Sequence, residues 1–112
     1  MILIKRTDEL LFDDGKVTVT VDGNVSEYEL SELRKVSVLT TEQRLLRTTV
    51  FLVLALRDEV YTMAMNHPDF QRILMDELKK YVPVDYNSII AAMVNKTDRE
   101  FTVYERDKAV NE

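Results

Sequence analysis

The sequence predicts an α+β fold, in which an N-terminal β-hairpin or small antiparallel sheet packs on a bundle of about three helices built around a long central helix, residues 41–66. Three observations predict it. Residues 16–21 and 25–30 alternate apolar and polar side chains on either side of Asp22-Gly23, the pairing expected of a hairpin. Residues 41–66 contain no Gly or Pro and hold the uninterrupted apolar run Val50-Phe51-Leu52-Val53-Leu54-Ala55-Leu56. Between Pro68 and Pro83, the residues Phe70, Ile73, Leu74, Leu78, Tyr81 and Val82 recur at the three- and four-residue steps of an amphipathic helix.

In chain order, Ile2 to Lys5 is predicted as a short strand, and Leu10, Leu11 and Phe12 extend it or start another. Asp13-Asp14-Gly15 is a turn, and residues 16–21 follow as a strand that turns Val17, Val19 and Val21 to the core. The partner strand is 25–30. Ser31 can cap a short helix through Ser37, with Glu32 well placed in its first turn and Val36, Val38 and Leu39 anchoring the connection; a strand is the alternative there.

Periodicity inside the run 50–56 does not separate a buried strand from a stretch of buried helix. The flanks favour helix, because Glu42, Gln43, Arg44, Leu45, Leu46 and Arg47 are good helix formers and Thr40 with Gln43 has capping-box spacing. At about 100° per residue, Leu45, Leu52, Leu56, Val60 and Met63 fall on one face and Val50, Leu54, Tyr61 and Met65 on a second stripe. A helix apolar on both sides needs two covers. The second stripe, Val50, Leu54, Tyr61 and Met65, is therefore the expected self-association surface of a homodimer.

Asn66-His67-Pro68-Asp69 stops that helix and starts the next, 68–82, which Pro83 ends. Asp85 can cap a third helix, 86–96, with Ile89, Ile90, Met93 and Val94 as its inner stripe. Residues 100–105 read as a strand, although Thr97 and Glu100 could instead box a helix start. The organisation expected is one domain over 1–112: a hairpin region to 30, a helical region over 31–96, a strand within 97–106 and a frayed tail at 107–112.

Composition excludes more than it selects. There is no cysteine, hence no disulfide or thiol chemistry, and this agrees with a reducing, cytoplasmic setting. The window from Leu45 to Met65 carries Arg47, Arg57, Asp58 and Glu59, too many charges for a membrane span, and the N-terminus lacks the order of a secretory signal. The net charge of -5 resides in residues 1–32, where eight acids meet three bases. Such a surface repels phosphate backbones, so no nucleic-acid partner is expected.

His67 is the lone histidine and precedes a proline in a turn, which suits a capping role better than catalysis. One histidine without cysteine makes a zinc site improbable, and no metal or cofactor is expected. Sequence neighbours such as Asp58/Glu59 or Asp76/Glu77 would diverge on a helix, and no phosphate-cradling glycine loop exists. The methionines Met63, Met65, Met75 and Met93 could provide adaptable partner-binding surface; Met63 and Met93 suit a core better, and Met65 suits an interface.

The expected function is thus a small non-enzymatic interaction module, an assembly factor, chaperone-like adaptor or inhibitor with a protein partner. The alternative is a polyanion-mimicking inhibitor of a nucleic-acid enzyme, using Asp13, Asp14, Asp22 and Glu27 of the acidic hairpin. A small enzyme using His67 ranks last. The order of an Asp-Gly hairpin followed by helices resembles that of many small accessory proteins of bacteria and phages, assembly chaperones included, a resemblance of element order alone.

Overall fold

The computed structural model describes residues 4–41, 50–95 and 97–106, and within them the chain is mostly strand. β1 (Ile4–Arg6), β2 (Glu9–Asp13), β3 (Lys16–Val21) and β4 (Asn24–Glu29) come first, and a 3-10 turn at Leu30–Glu32 leads into β5 (Leu33–Thr40). β6 (Val50–Leu56) and β7 (Glu59–Ala64) follow; helix α1 over residues 70–80 and helix α2 (Tyr86–Val94) then precede β8 (Arg99–Glu105). Five strands form one sheet in the order β1-β7-β6-β5-β8, and three form another in the order β2-β3-β4. Every pairing is antiparallel except that of β1 with β7.

The small sheet follows from its two turns. Asp14 and Gly15 have φ of 47° and 81°, and Asp22 and Gly23 have 51° and 82°. Two successive positive-φ residues give the turn whose twist matches paired strands, and Asp-Gly adopts it with little strain. Leu10, Phe12, Val17, Val19 and Tyr28 then share the sheet's buried face, while Leu11, Val25, Glu27 and Glu29 point to solvent.

β6 organises the large sheet. Its Val50, Leu52, Leu54 and Leu56 are buried, and the alternate residues Phe51, Val53 and Ala55 are half-buried. Register places Leu54 between Val36 and Tyr61, and Leu52 between Val38 and Met63, so one face is a continuous apolar layer. The small sheet and the helices cover this layer: Leu10, Val17 and Val19 join Phe70, Ile73, Leu78 and Ile89 in one core with it. At the junction, the Thr7 N–H donates to Thr62 O of the large sheet at 2.8 Å, and the next N–H, that of Asp8, donates to Thr20 O of the small one at 2.8 Å. A second tie is the buried Tyr28 hydroxyl, 2.5 Å from the Tyr61 hydroxyl. Burial and this hydrogen bond hold the Tyr28 phenol above its ordinary range.

The expected helical bundle is corrected in three places. The long central helix over 41–66 does not form: residues 50–56 and 59–64 are antiparallel strands joined by Arg57 and Asp58, while 42–49, the lead-in that favoured helix, lie outside the described residues. The reversal needs no glycine because Arg57 itself takes a φ of 55°. Glu32 holds it there, accepting from Arg57 Nε at 2.5 Å, while the Arg57 N–H donates to Glu32 O at 3.0 Å. The expected helix from Ser31 to Ser37 is also absent; after one 3-10 turn, Leu33, Val36 and Val38 enter the core from β5. Among the described residues two helices remain, 70–80 and 86–94, which is a sheet-rich fold and not a bundle of three. The strand reading of 100–105 agrees with β8, and the tail at 107–112 lies outside the described residues.

Two outcomes test this architecture. Leu54→Ala removes a side chain enclosed by Val36 and Tyr61 and is expected to lower unfolding free energy by about 2–5 kcal/mol in urea titration. The Arg57 guanidinium, and secondly the Glu29 N–H, hold the Glu32 carboxyl below its ordinary range. A depressed carboxylate stabilises the fold above its unfolded-state value and loses that effect as pH falls through its folded-state value. Glu32→Gln is therefore expected to lower Tm at pH 7, with the difference from wild type closing as pH falls below about 4.

Candidate functional site

The loop after β7 and the two helices enclose the site, and local chemistry fixes each piece. His67 Nδ1 accepts the Asp69 N–H at 3.0 Å, so the ring proton is on Nε2, which donates to Asp8 O at 2.6 Å. The ring thereby pins the start of α1 to the junction of the two sheets. Within α1 the Leu78 N–H reaches Ile73 O, five residues back instead of four, widening the turn over Ile73–Glu77. Such a widened turn is rare and frequently marks a functional site; this one carries Met75.

Asp85 begins α2 by accepting the Ser88 N–H at 3.2 Å, and its own N–H donates to Val103 O at 2.9 Å. At the other end Thr40 Oγ1, buried in β5, donates to Thr97 O at 2.7 Å, and Asn95 Oδ1 accepts the Thr97 N–H at 2.9 Å. These bonds lay α2 against β8 and β5. Its Ile89 and Ala92 face the core.

Between the helices runs a groove of about 450 Å³. Its floor is Phe70, Leu74 and Ile89, all buried. Its walls are Met65 at 45% exposure, Met75 at 36%, Ile90 at 62%, Met93 at 44% and Val94 at 73%. His67, Pro68 and Gln71 complete the lining, and among the described residues no carboxylate, ammonium or guanidinium borders it. A flexible, polarisable thioether adapts to irregular apolar shapes, so the methionine walls suit hydrophobic side chains.

The residues expected to carry function are dispersed differently. Val50, Leu54 and Tyr61 do come together, but as one patch of the interior of a single chain; of that stripe only Met65 is exposed, and it borders the groove. Asp13 and Asp14 sit at one end of β3 and Asp22 at the other, roughly 17–20 Å away for a six-residue strand. Glu27 lies 3.7 Å from Lys16 Nζ. The acids thus straddle the small sheet without converging. Ile90, Met93 and Val94, expected on the inner stripe of the third helix, instead face outward; α2 is apolar around most of its circumference, and its inner side was not legible from spacing.

The chain matches no family profile, no curated protein sequence and no solved structure. Among the described residues no three His, Cys, Asp or Glu side chains gather as a metal would require, and no helix is long and apolar enough to cross a membrane.

A smaller hollow of about 360 Å³ lies beside His67, bordered by Arg6, Thr7, Phe51 and Asn66. Thr7 is buried there, and its Oγ1 has no hydrogen-bond partner among the described residues. An unpartnered buried hydroxyl costs roughly 1–3 kcal/mol. Thr7→Val keeps the shape and removes the hydroxyl, and is expected to raise the urea midpoint without changing the slope of the transition.

Proposed function

We propose that the protein is a small non-enzymatic interaction module of the cytoplasm, an assembly factor, adaptor or inhibitor, that holds apolar side chains of another polypeptide in the methionine-lined groove. One observation carries the reading: three of the chain's five methionines, with Ile90 and Val94, border a single groove. A soluble surface tolerates scattered apolar residues, whereas a contiguous concave group of them marks a binding site. Helical walls above an apolar floor suit an amphipathic partner segment that inserts side chains one turn apart. The engagement of both His67 nitrogens by backbone groups supports a structural part for that residue. The absence of cysteine supports the cytoplasmic setting.

The test is comparative capture from the native cell. Met75→Glu combined with Met93→Glu places two charges on the groove walls, at positions already open to solvent. The double variant is expected to melt within a few degrees of wild type and to lose the proteins that wild type retains. Equal capture by both chains overturns the proposal.

A further inference from the structure

α2 carries an imbalance that the other described residues do not relieve. Its nine residues, Tyr86–Val94, include no charged side chain. One side, Ile89 and Ala92, is buried. The outer side bears Tyr86, Ile90, Met93 and Val94, all exposed, at the i, i+4, i+7, i+8 spacing of a single stripe. A helix bordered by solvent ordinarily places charged residues there, and one apolar on both sides is covered twice.

We infer that the second cover is another copy of this chain, the two α2 helices packing antiparallel about a two-fold axis; this rests on the reading of the groove as a docking surface. Three features favour a second copy. Each chain carries a net charge of -5, so two copies repel, yet among the described residues the groove lining and α2 include no Asp, Glu, Lys or Arg and can meet without juxtaposing like charges. The same patch contains projections, Ile90 and Val94, and a hollow floored by Phe70, Leu74 and Ile89, which is the self-complementarity an isologous contact requires. The exposed parts of Met65, Met75, Ile90, Met93 and Val94 amount to roughly 500 Å² per copy, or about 1,000 Å² for a pair, the lower bound for a specific interface. That size belongs to reversible rather than permanent association.

Geometry fixes the centre of the contact. Residue 90 is the midpoint of Tyr86–Val94, so antiparallel pairing about a two-fold axis brings Ile90 of each copy to that axis.

Sedimentation velocity between about 5 and 500 µM tests the association, and the lack of native cysteine permits a clean crosslinking arm. Wild type is expected to rise from 13.1 kDa towards twice that mass, and Ile90→Glu to remain at 13.1 kDa with a wild-type melting curve. Under mild oxidation Ile90→Cys is expected to form a covalent dimer at least tenfold faster than Val25→Cys, an equally exposed position on β4. A wild type that stays at 13.1 kDa, an Ile90→Glu variant that dimerises like wild type, or equal crosslinking at 90 and 25 overturns the inference. A monomeric wild type whose partner capture is abolished by Met75→Glu with Met93→Glu would overturn the second copy alone, leaving the groove as a site for a different protein.

Discussion

The structure depends on a strand that is apolar on both faces. β6 contains no polar side chain from Val50 to Leu56, and a strand of that kind is stable only inside a sheet. β5 and β7 satisfy its backbone on either side, and their Val36, Val38, Tyr61 and Met63 extend its buried face sideways. Burial of four such side chains contributes about 1.5–3 kcal/mol each. The small sheet, α1 and α2 are the lids over this layer, and their positions follow from it. The joints have correspondingly local causes: the Thr7-Asp8 step carries the backbone hydrogen bonds from one sheet to the other, and His67 and the Tyr28–Tyr61 pair keep the two sheets in register around the step.

Local signals were legible in the sequence where a specific backbone conformation demanded a specific residue. The two Asp-Gly turns of the small sheet, the Asp85 cap of α2, and the stop around Asn66 to Pro68 are cases in which few side chains would serve. The central hairpin was illegible for the opposite reason. Its turn is Arg57-Asp58, which has no glycine and carries the charges that also suit a helix surface, and its stabilising partner, Glu32, lies 25 residues away in sequence. Length offered a counter-signal: seven apolar residues bounded by charges fit a strand better than a helix, and residues 59–64 alternate Glu59, Tyr61 and Met63 against Val60, Thr62 and Ala64. Helix propensity in the flank was a weak local preference, and it was outweighed by long-range pairing.

The groove was partly visible beforehand. Methionine clustering drew attention to Met65, Met75 and Met93, but assigning Met93 to the core assumed that the apolar stripe of α2 faces inward. In α2 the residues Tyr86, Ile89, Ile90, Ala92, Met93 and Val94 leave almost no polar side, so the moment that normally orients a helix is small and packing against β8 decides which residues are buried. The signal that did exist was the missing charge: a nine-residue surface helix with no acid or base is unusual whichever way it turns.

The two-sided element that composition demands is therefore present twice, in different forms. In β6 the chain supplies the partners itself, because a strand can recruit neighbours through its backbone on both edges while lids cover its buried face. As a helix, α2 has no free backbone groups along its sides and is covered only by side-chain packing, which the described residues provide on the Ile89 side. Melting the helix would relieve the exposed stripe but would leave Ile89 and Ala92 without a scaffold and break the hydrogen bonds that Asp85 and Asn95 make at its ends. The fold thus fixes α2 in place by its inner residues and presents the outer ones as a consequence, so any association through them would meet little further ordering cost.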